Sequence, residues 1–403
     1  MRKMKDSGIE WIGQIPESWS HCEIKRYCVD IFSGATPKTD NPDYWDGDIN
    51  WIPSGSCHDC RIDVAPKKIT QSGYENSSTK LIPANTAIVA MTGATCGNTG
   101  YLMMESCANQ SVTAYVEDKT RCNSIYLWYV LQAAKEYLLT FQTGGAQGGI
   151  NVENCKNIIV PLVPLEDQLR IAEFLDKKCA EIDALIASKE KINELLKERR
   201  QSIIYEAVTK GLNPNVPMKD SGIEWIGEIP ESWNVIRAKY FATINNGTDP
   251  KTEGDIPVYG SGSESFKTCG EYKEGPCVLI GRKGATLHIP HYIEGEYWNV
   301  DTAFDVKTDE SICLLKYYYY ASICFDYKLY ISTTTLPGMT QSNYGNIFLP
   351  IPSIDEQKSI VLGLEGLIAD VDGVIEANTS AIEKLKEYRQ SIIYEAVTGK
   401  IEV

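Results

Sequence analysis

The chain repeats itself once, and that repeat constrains its architecture more than any single motif. MKDSGIEWIGQIPESW at 4–19 returns as MKDSGIEWIGEIPESW at 218–233, identical at 15 of 16 positions and offset by 214. KERRQSIIYEAVT at 197–209 returns as KEYRQSIIYEAVT at 386–398, identical at 12 of 13 positions and offset by 189. A period this long excludes a solenoid of short repeats and defines two half-molecules joined head to tail. The offset falls by 25 between the two markers, so the material between them is shorter in the second half. Like frames around unlike inserts predict one scaffold carrying two different reading heads.

Each half runs through three textures. The lead-in comes first, with Trp11, Ile12, Ile15 and Trp19 (Trp225, Ile226, Ile229 and Trp233 in the second half) set among Gly and Pro. That composition predicts a turn-rich strap that packs aromatics onto a domain. A mixed body follows at about 20–160 and 234–350, with short apolar runs such as Thr86–Met91 and Cys277–Ile280 closed by Gly and polar residues. Helical runs follow at Ser124–Leu131 and Leu314–Phe325, so each body reads as a small α+β globule.

The third texture is a long amphipathic helix. Ile171, Leu175, Ile182, Leu185, Ile192, Leu196 and Ile203 recur with charges between them, and Ile360, Leu364, Val371, Val374, Leu385 and Ile392 answer them in the second half. Apolar spacing of this kind, sustained over about 40 residues, predicts a coiled-coil seam. Ser353-Ile-Asp-Glu356 has the capping-box pattern, and Gly211, Pro214, Pro217 and Gly399 supply stops. Lys189 and Asn378 interrupt the two seams at equivalent places, which suits a register-fixing polar layer. Antiparallel pairing of the helices would place a body at each end of a rod. About 43 residues at ~1.5 Å each make that rod roughly 65 Å long.

Thirteen scattered cysteines read as reduced thiols of a cytoplasmic protein, without a disulfide framework. The N-terminus lacks an apolar leader and no run approaches 18 apolar residues, so neither secretion nor a membrane partner is expected. A net charge of −15 argues against broad attraction to nucleic acid and confines any DNA contact to small local patches.

The ordered set of elements resembles the specificity subunit of type I restriction–modification systems. It comprises Glu10-Trp-Ile-Gly13 with Ile15-Pro-Glu-Ser-Trp19, Ser33-Gly-Ala-Thr-Pro37, Tyr44-Trp45-x-Gly47, Gly281–Gly284, and Leu165-Glu-Asp-Gln168 with Ile354-Asp-Glu-Gln357. The second half carries Asn246-Gly-Thr-Asp-Pro250 in place of the Thr-Pro…Tyr-Trp-x-Gly stretch. The resemblance implies an α+β fold, with two mixed target recognition domains separated by two long helices in an antiparallel coiled coil and an internal pseudo-two-fold repeat. The expected partition is recognition domain 1 at 1–160, spacer helix and linker at 161–217, recognition domain 2 at 218–350, and a second spacer helix at 351–403. It further implies double-stranded DNA as ligand, two methyltransferase subunits as partners, restriction/translocase subunits joining through the complex, and no cofactor or metal of the chain's own.

Individual motifs carry candidate chemistry. Asn41-Pro-Asp-Tyr44 approximates the amine-binding motif of adenine methyltransferases, but it lacks the preceding apolar strand and a glycine-rich cofactor loop, so a turn is expected. Cys57-His-Asp-Cys60 has no second Cys/His pair at zinc-finger distance, so loop thiols are expected. Gly281-Arg-Lys-Gly284 puts Arg282 and Lys283 on a tight turn at a strand end, fit to hold a phosphate or a guanine edge. Its counterpart, Met91–Asn98, is neutral and offers Thr92 and Asn98. The loops 143–149 and 333–343 occupy like places and present Gln147, Gln341 and Asn343, suited to base edges. None of the four histidines sits in a catalytic or metal motif. Two rivals stand beside the DNA reader: an adenine methyltransferase using Asn41–Tyr44, and a coiled-coil adaptor whose bodies bind proteins.

Overall fold

The computed structural model describes residues 2–143, 148–262, 264–284, 286–331 and 338–403. The chain divides into two compact units, one made of 1–188 with 381–403 and the other of 189–380. Each long helix, Leu165–Lys210 and Ile354–Val397, therefore contributes to both.

In the first unit the lead-in is a hairpin of Met4–Asp6 and Gln14–Pro16. Ser20–Glu23 pairs with Ile159–Leu162 just before the first long helix. The main sheet has the order Cys28–Ser33, Val112–Glu117, Thr86–Ala90, Thr99–Leu102, Cys60–Ile62. Neighbours are antiparallel except the last pair, which is parallel. The central strand Thr86–Ala90 is buried at all five positions, as its unbroken apolar run predicts. The helix Ser124–Ala133 packs over this sheet. A second sheet of Cys107–Ala108, Trp45–Ile52 and Lys67–Ile69 has its own small core around Trp51 and Ile69.

The second unit repeats the plan with less material. Its lead-in hairpin joins Met218–Asp220 to Glu228–Pro230, and Asn234–Arg237 pairs with Phe348–Ile351. The main sheet has four strands, in the order Ala242–Asn246, Ala303–Thr308, Cys277–Gly281, His291–Ile293. The helix Leu315–Ile323 lies where the first unit has Ser124–Ala133. The second sheet is rebuilt from Lys267–Cys269, Ile256–Tyr259, Glu296–Asn299 and Lys273–Glu274.

The helices pair antiparallel within each unit. Asp183 meets Arg389 at 2.8 Å in the first. In the second, Asn193 meets Thr379 and Arg200 meets Asp372, so the first helix advances one heptad while the second steps back by one. Lys189 Nζ donates to Asn378 Oδ1 at 3.1 Å, and Asn378 Nδ2 donates to Asn193 Oδ1 at 3.1 Å.

Leu175, Ile182 and Leu364 are buried, and Leu196, Val371 and Leu385 are half-buried. Three expected seam residues are corrected: Leu185, Ile192 and Val374 stand 47%, 45% and 49% exposed. The alternating three-and-four step of a coiled coil carries the seam from Ile182 to buried Ile186, four residues on, and so past Leu185. Half-buried Ile375 likewise takes the place given to Val374. The capping box at 353–356 is only half formed. Ser353 Oγ accepts from Glu356 N at 3.3 Å, but the Glu356 carboxylate turns to Trp233 Nε1 at 3.0 Å. Among the described residues no helix is long and apolar enough to cross a membrane.

Candidate nucleic-acid interface

Both repeated markers close the same clasp. In the first unit the Tyr394 hydroxyl donates to the Ile12 carbonyl at 3.2 Å; in the second, Tyr205 donates to Ile226 at 3.2 Å. The end of each long helix thus seals the lead-in that begins the other half, which explains why these two segments are the ones kept alike. The helix starts are bound the same way. Trp19 Nε1 donates to Asp167 at 3.3 Å, as Trp233 donates to Glu356.

The glutamines quoted for their family pattern turn out to be latches. Gln168, fully buried, accepts from Asn123 N at 2.9 Å and donates to the carbonyls of Arg121 and Val163 at 2.9 and 2.8 Å. Gln357 accepts from Leu314 N at 2.8 Å and donates to Ile312 and Pro352 at 2.9 and 3.0 Å. Sequence reasoning missed this role. The only signal was a Gln at the same offset in both helix starts.

On this frame the central strand of each unit delivers one loop. Both loops turn on a glycine with positive φ, Gly93 at 77° and Gly284 at 111°, a conformation that favours glycine. Each is then held by the segment that precedes the last short helix. Ile150 N donates to Met91 O in one unit, and Met339 N donates to Arg282 O in the other, both at 2.9 Å. The Tyr344 hydroxyl, buried and kept protonated because burial pushes its pKa up, donates to Gly281 O at 2.6 Å and fixes the turn from below.

The candidate contacts fare unequally. Lys283 bridges to Gly338, which brings the Arg282–Lys283 turn beside the helix Gln341–Gly345. Lys283 Nζ is about half exposed and 3.9 Å from an equally exposed Asp301. Arg282 lies over the Phe304 ring and donates to Asp301 O at 3.3 Å, so it braces the turn. Gln341 donates to Ile244 O at 2.8 Å and Asn343 to Tyr330 O at 2.6 Å. Asn98 donates to Cys57 O at 3.2 Å. These amides hold neighbouring backbone. Thr92 is half-buried against Gly149, and Gln147 lies outside the described residues, as do 333–337.

Asn41 caps a single turn, accepting from Asp43 N at 3.1 Å. The Cys57 thiol is pushed up to about 12 by burial, and Asp59 is occupied by Thr99 N and Oγ1 at 2.7 and 3.0 Å. A thiol raised in this way is a poor metal ligand at neutral pH.

Comparison with known proteins agrees with this geometry. The family model for the type I restriction modification DNA specificity domain matches residues 16–198 and 230–384. The MjaVIII specificity subunit of Methanocaldococcus jannaschii is 22% identical over 424 residues, spanning 97% of this chain and 94% of its own length. The EcoBI specificity subunit of Escherichia coli is 23% identical over 326 residues, spanning 73% and 69%. A chain from a structure of a type I R-M system, concerned with complex assembly and conformational transition, superposes with a TM-score of 0.75 at 16% identity, over 96% of this chain and 99% of that one. The HsdS subunit from Thermoanaerobacter tengcongensis gives 0.51 at 16% identity, over 96% and 98%.

The fold and the twice-matched family model define a DNA specificity protein. The chain belongs to the type I restriction–modification DNA specificity family, and it is a specificity subunit carrying the domain twice.

Proposed function

We propose that the chain reads a split, asymmetric DNA target, taking one half-site with the body at 1–160 and the other with the body at 218–350. The observation that carries this reading is the clasp. Tyr394 on Ile12 and Tyr205 on Ile226 repeat one frame, while the main sheets differ in strand number. The paired helices, with 161–217 and 351–403 as spacer segments, dock two methyltransferase subunits, through which restriction/translocase subunits join in the cytoplasm. Exposed Leu185 in one unit and exposed Ile192, Leu195 and Val374 in the other are apolar anchors for such partners. The chain itself is non-catalytic: Asn41 is spent as a cap, which speaks against the methyltransferase alternative.

Methylome sequencing of cells with and without the chain tests this. The dependent motif is expected to consist of two unrelated half-sites, and replacing 20–160 is expected to change one of them only. A continuous motif or a palindrome would refute the reading.

Lys283 is assigned to a phosphate. Lys283→Ala should weaken the assembled enzyme's binding about evenly across sequences and lower the slope of log K against log salt by about 0.9. Anisotropy titrations over a salt series measure it; relaxed preference at one base pair would assign Lys283 to a base edge.

A further inference from the structure

The main sheet of the first unit ends on Cys60–Ile62, parallel to Thr99–Leu102, with Arg61 opposite Tyr101. The main sheet of the second unit stops one strand earlier, at His291–Ile293. That strand corresponds to Gly100–Leu102, since His291 faces Leu279 on the central strand as Gly100 faces Ile88. In the first unit, then, the chain supplies the covering strand itself; in the second, among the described residues, it does not.

Part of what the extra strand does is taken over. Arg61 reaches Asp176 at 2.7 Å and lies over Tyr101 and Trp128. In the second unit Lys316 pairs with Glu365 and sits 5.2 Å from the centre of Tyr292. Acid, ring and cation recur, with the cation now donated by the helix.

Space and hydrogen-bond capacity are not taken over. A cavity of about 540 Å³ lies along the bare edge, lined by Arg200, His288, Pro290, His291, Tyr319 and Ile323 among others. Arg200 is held by Asp372 at 3.0 Å, as its counterpart Arg389 is held by Asp183. Arg389 also donates to Gln132 Oε1 at 3.2 Å, whereas the corresponding residue in the second unit is Ile323, whose side chain has no acceptor and whose carbonyl takes Gln201 Nε2 at 3.2 Å. His291 Nε2 is buried without a hydrogen-bond partner among the described residues. Among the described residues the edge therefore lacks the covering strand and the acceptor side chain that Cys60–Ile62 and Gln132 supply in its sister unit. An exposed strand edge with these gaps is suited to β-addition, in which backbone bonds give affinity and flanking pockets give specificity.

We propose that this edge docks an extended segment of a methyltransferase subunit, which adds as a further strand beside His291–Ile293 and sets an acidic side chain between Arg200 and His291. The site rests on the assembly reading above. Arg200 is a donor without the second acceptor that Arg389 finds in Gln132, so that acceptor comes from the incoming segment.

Hydrogen–deuterium exchange on the full chain, free and assembled with methyltransferase subunits, with and without duplex, tests it. Amides across 289–293 should exchange at least ~10-fold more slowly on assembly, with no further change on adding duplex. In the double variant His288→Glu, Ile289→Glu, which alters two exposed rim residues, the complex should still form and melt as before, yet lose that protection. Protection of the long helices without protection of 289–293 would overturn the docking site and leave the assembly standing. Protection that appears only with duplex would make the edge a DNA surface and overturn the proposal. Failure of the chain to assemble would overturn both.

Discussion

Inserting one heptad into each long helix, after Lys191 and after Ser380, is expected to lengthen the non-specific gap of the methylated target by about three base pairs. A heptad adds ~10 Å of helix, and B-DNA rises ~3.4 Å per base pair. The insertion points follow from the register: Asn193 with Thr379 and Arg200 with Asp372 imply that 191 and 380 lie across from one another's successors. Seven residues keep the apolar seam in phase, so the pairing of Ile182 and Ile186 with the second helix is undisturbed. Both half-sites should be unchanged, because no body is touched. Sequencing the methylome of cells carrying the variant measures the gap directly. A folded, active variant with the original gap would sink the spacer role. An insertion of four residues in place of seven should abolish methylation, because four residues do not complete a heptad and throw the apolar seam out of phase across the insertion.

How far the sequence could be read depended on whether a residue's role was local or long-range. The central strands at 86–90 and 277–281 were legible because a buried strand is an unbroken apolar run. The long helices were legible because their period persists over many turns. The phase of the seam was not: Leu185 and Ile186 are adjacent and equally apolar, and only packing against the other helix selects Ile186. The site was least legible. Gln341, Asn343 and Asn98 look like base readers in one dimension, yet each donates to a carbonyl far away in sequence or across a turn. An amide's partner is fixed by tertiary contact, and residue type alone cannot separate a latch from a reader. Lys283, whose only ion partner among the described residues is an exposed aspartate, kept its candidacy because a charge on a turn needs no distant partner to stay solvated.

The largest stability effect is expected at the glutamine latches. Replacing Gln168 by Leu removes no backbone, but it strands Asn123 N and the carbonyls of Arg121 and Val163, all previously bonded by a fully buried amide. Each stranded group costs about 1–3 kcal/mol, so a loss of about 3 kcal/mol or more is expected. For a unit of this size that lowers the melting temperature by roughly 6–12 °C. Gln168→Glu separates the latch from simple packing. Its carboxylate can still accept from Asn123 N, but it cannot donate to the two carbonyls and carries a buried charge unless protonated. Burial and the facing carbonyls raise the folded-state pKa of the new carboxyl above its unfolded value. Its folded form therefore binds the extra proton, and the variant's stability relative to wild type is greatest below the unfolded pKa and is lost as pH rises through the folded one. Calorimetry from acid to neutral pH should show Gln168→Glu diverging from wild type as pH rises, while Gln168→Leu stays lower by a constant amount. Equal, pH-independent losses in both variants would mean that Gln168 acts by filling volume, with its three hydrogen bonds contributing little.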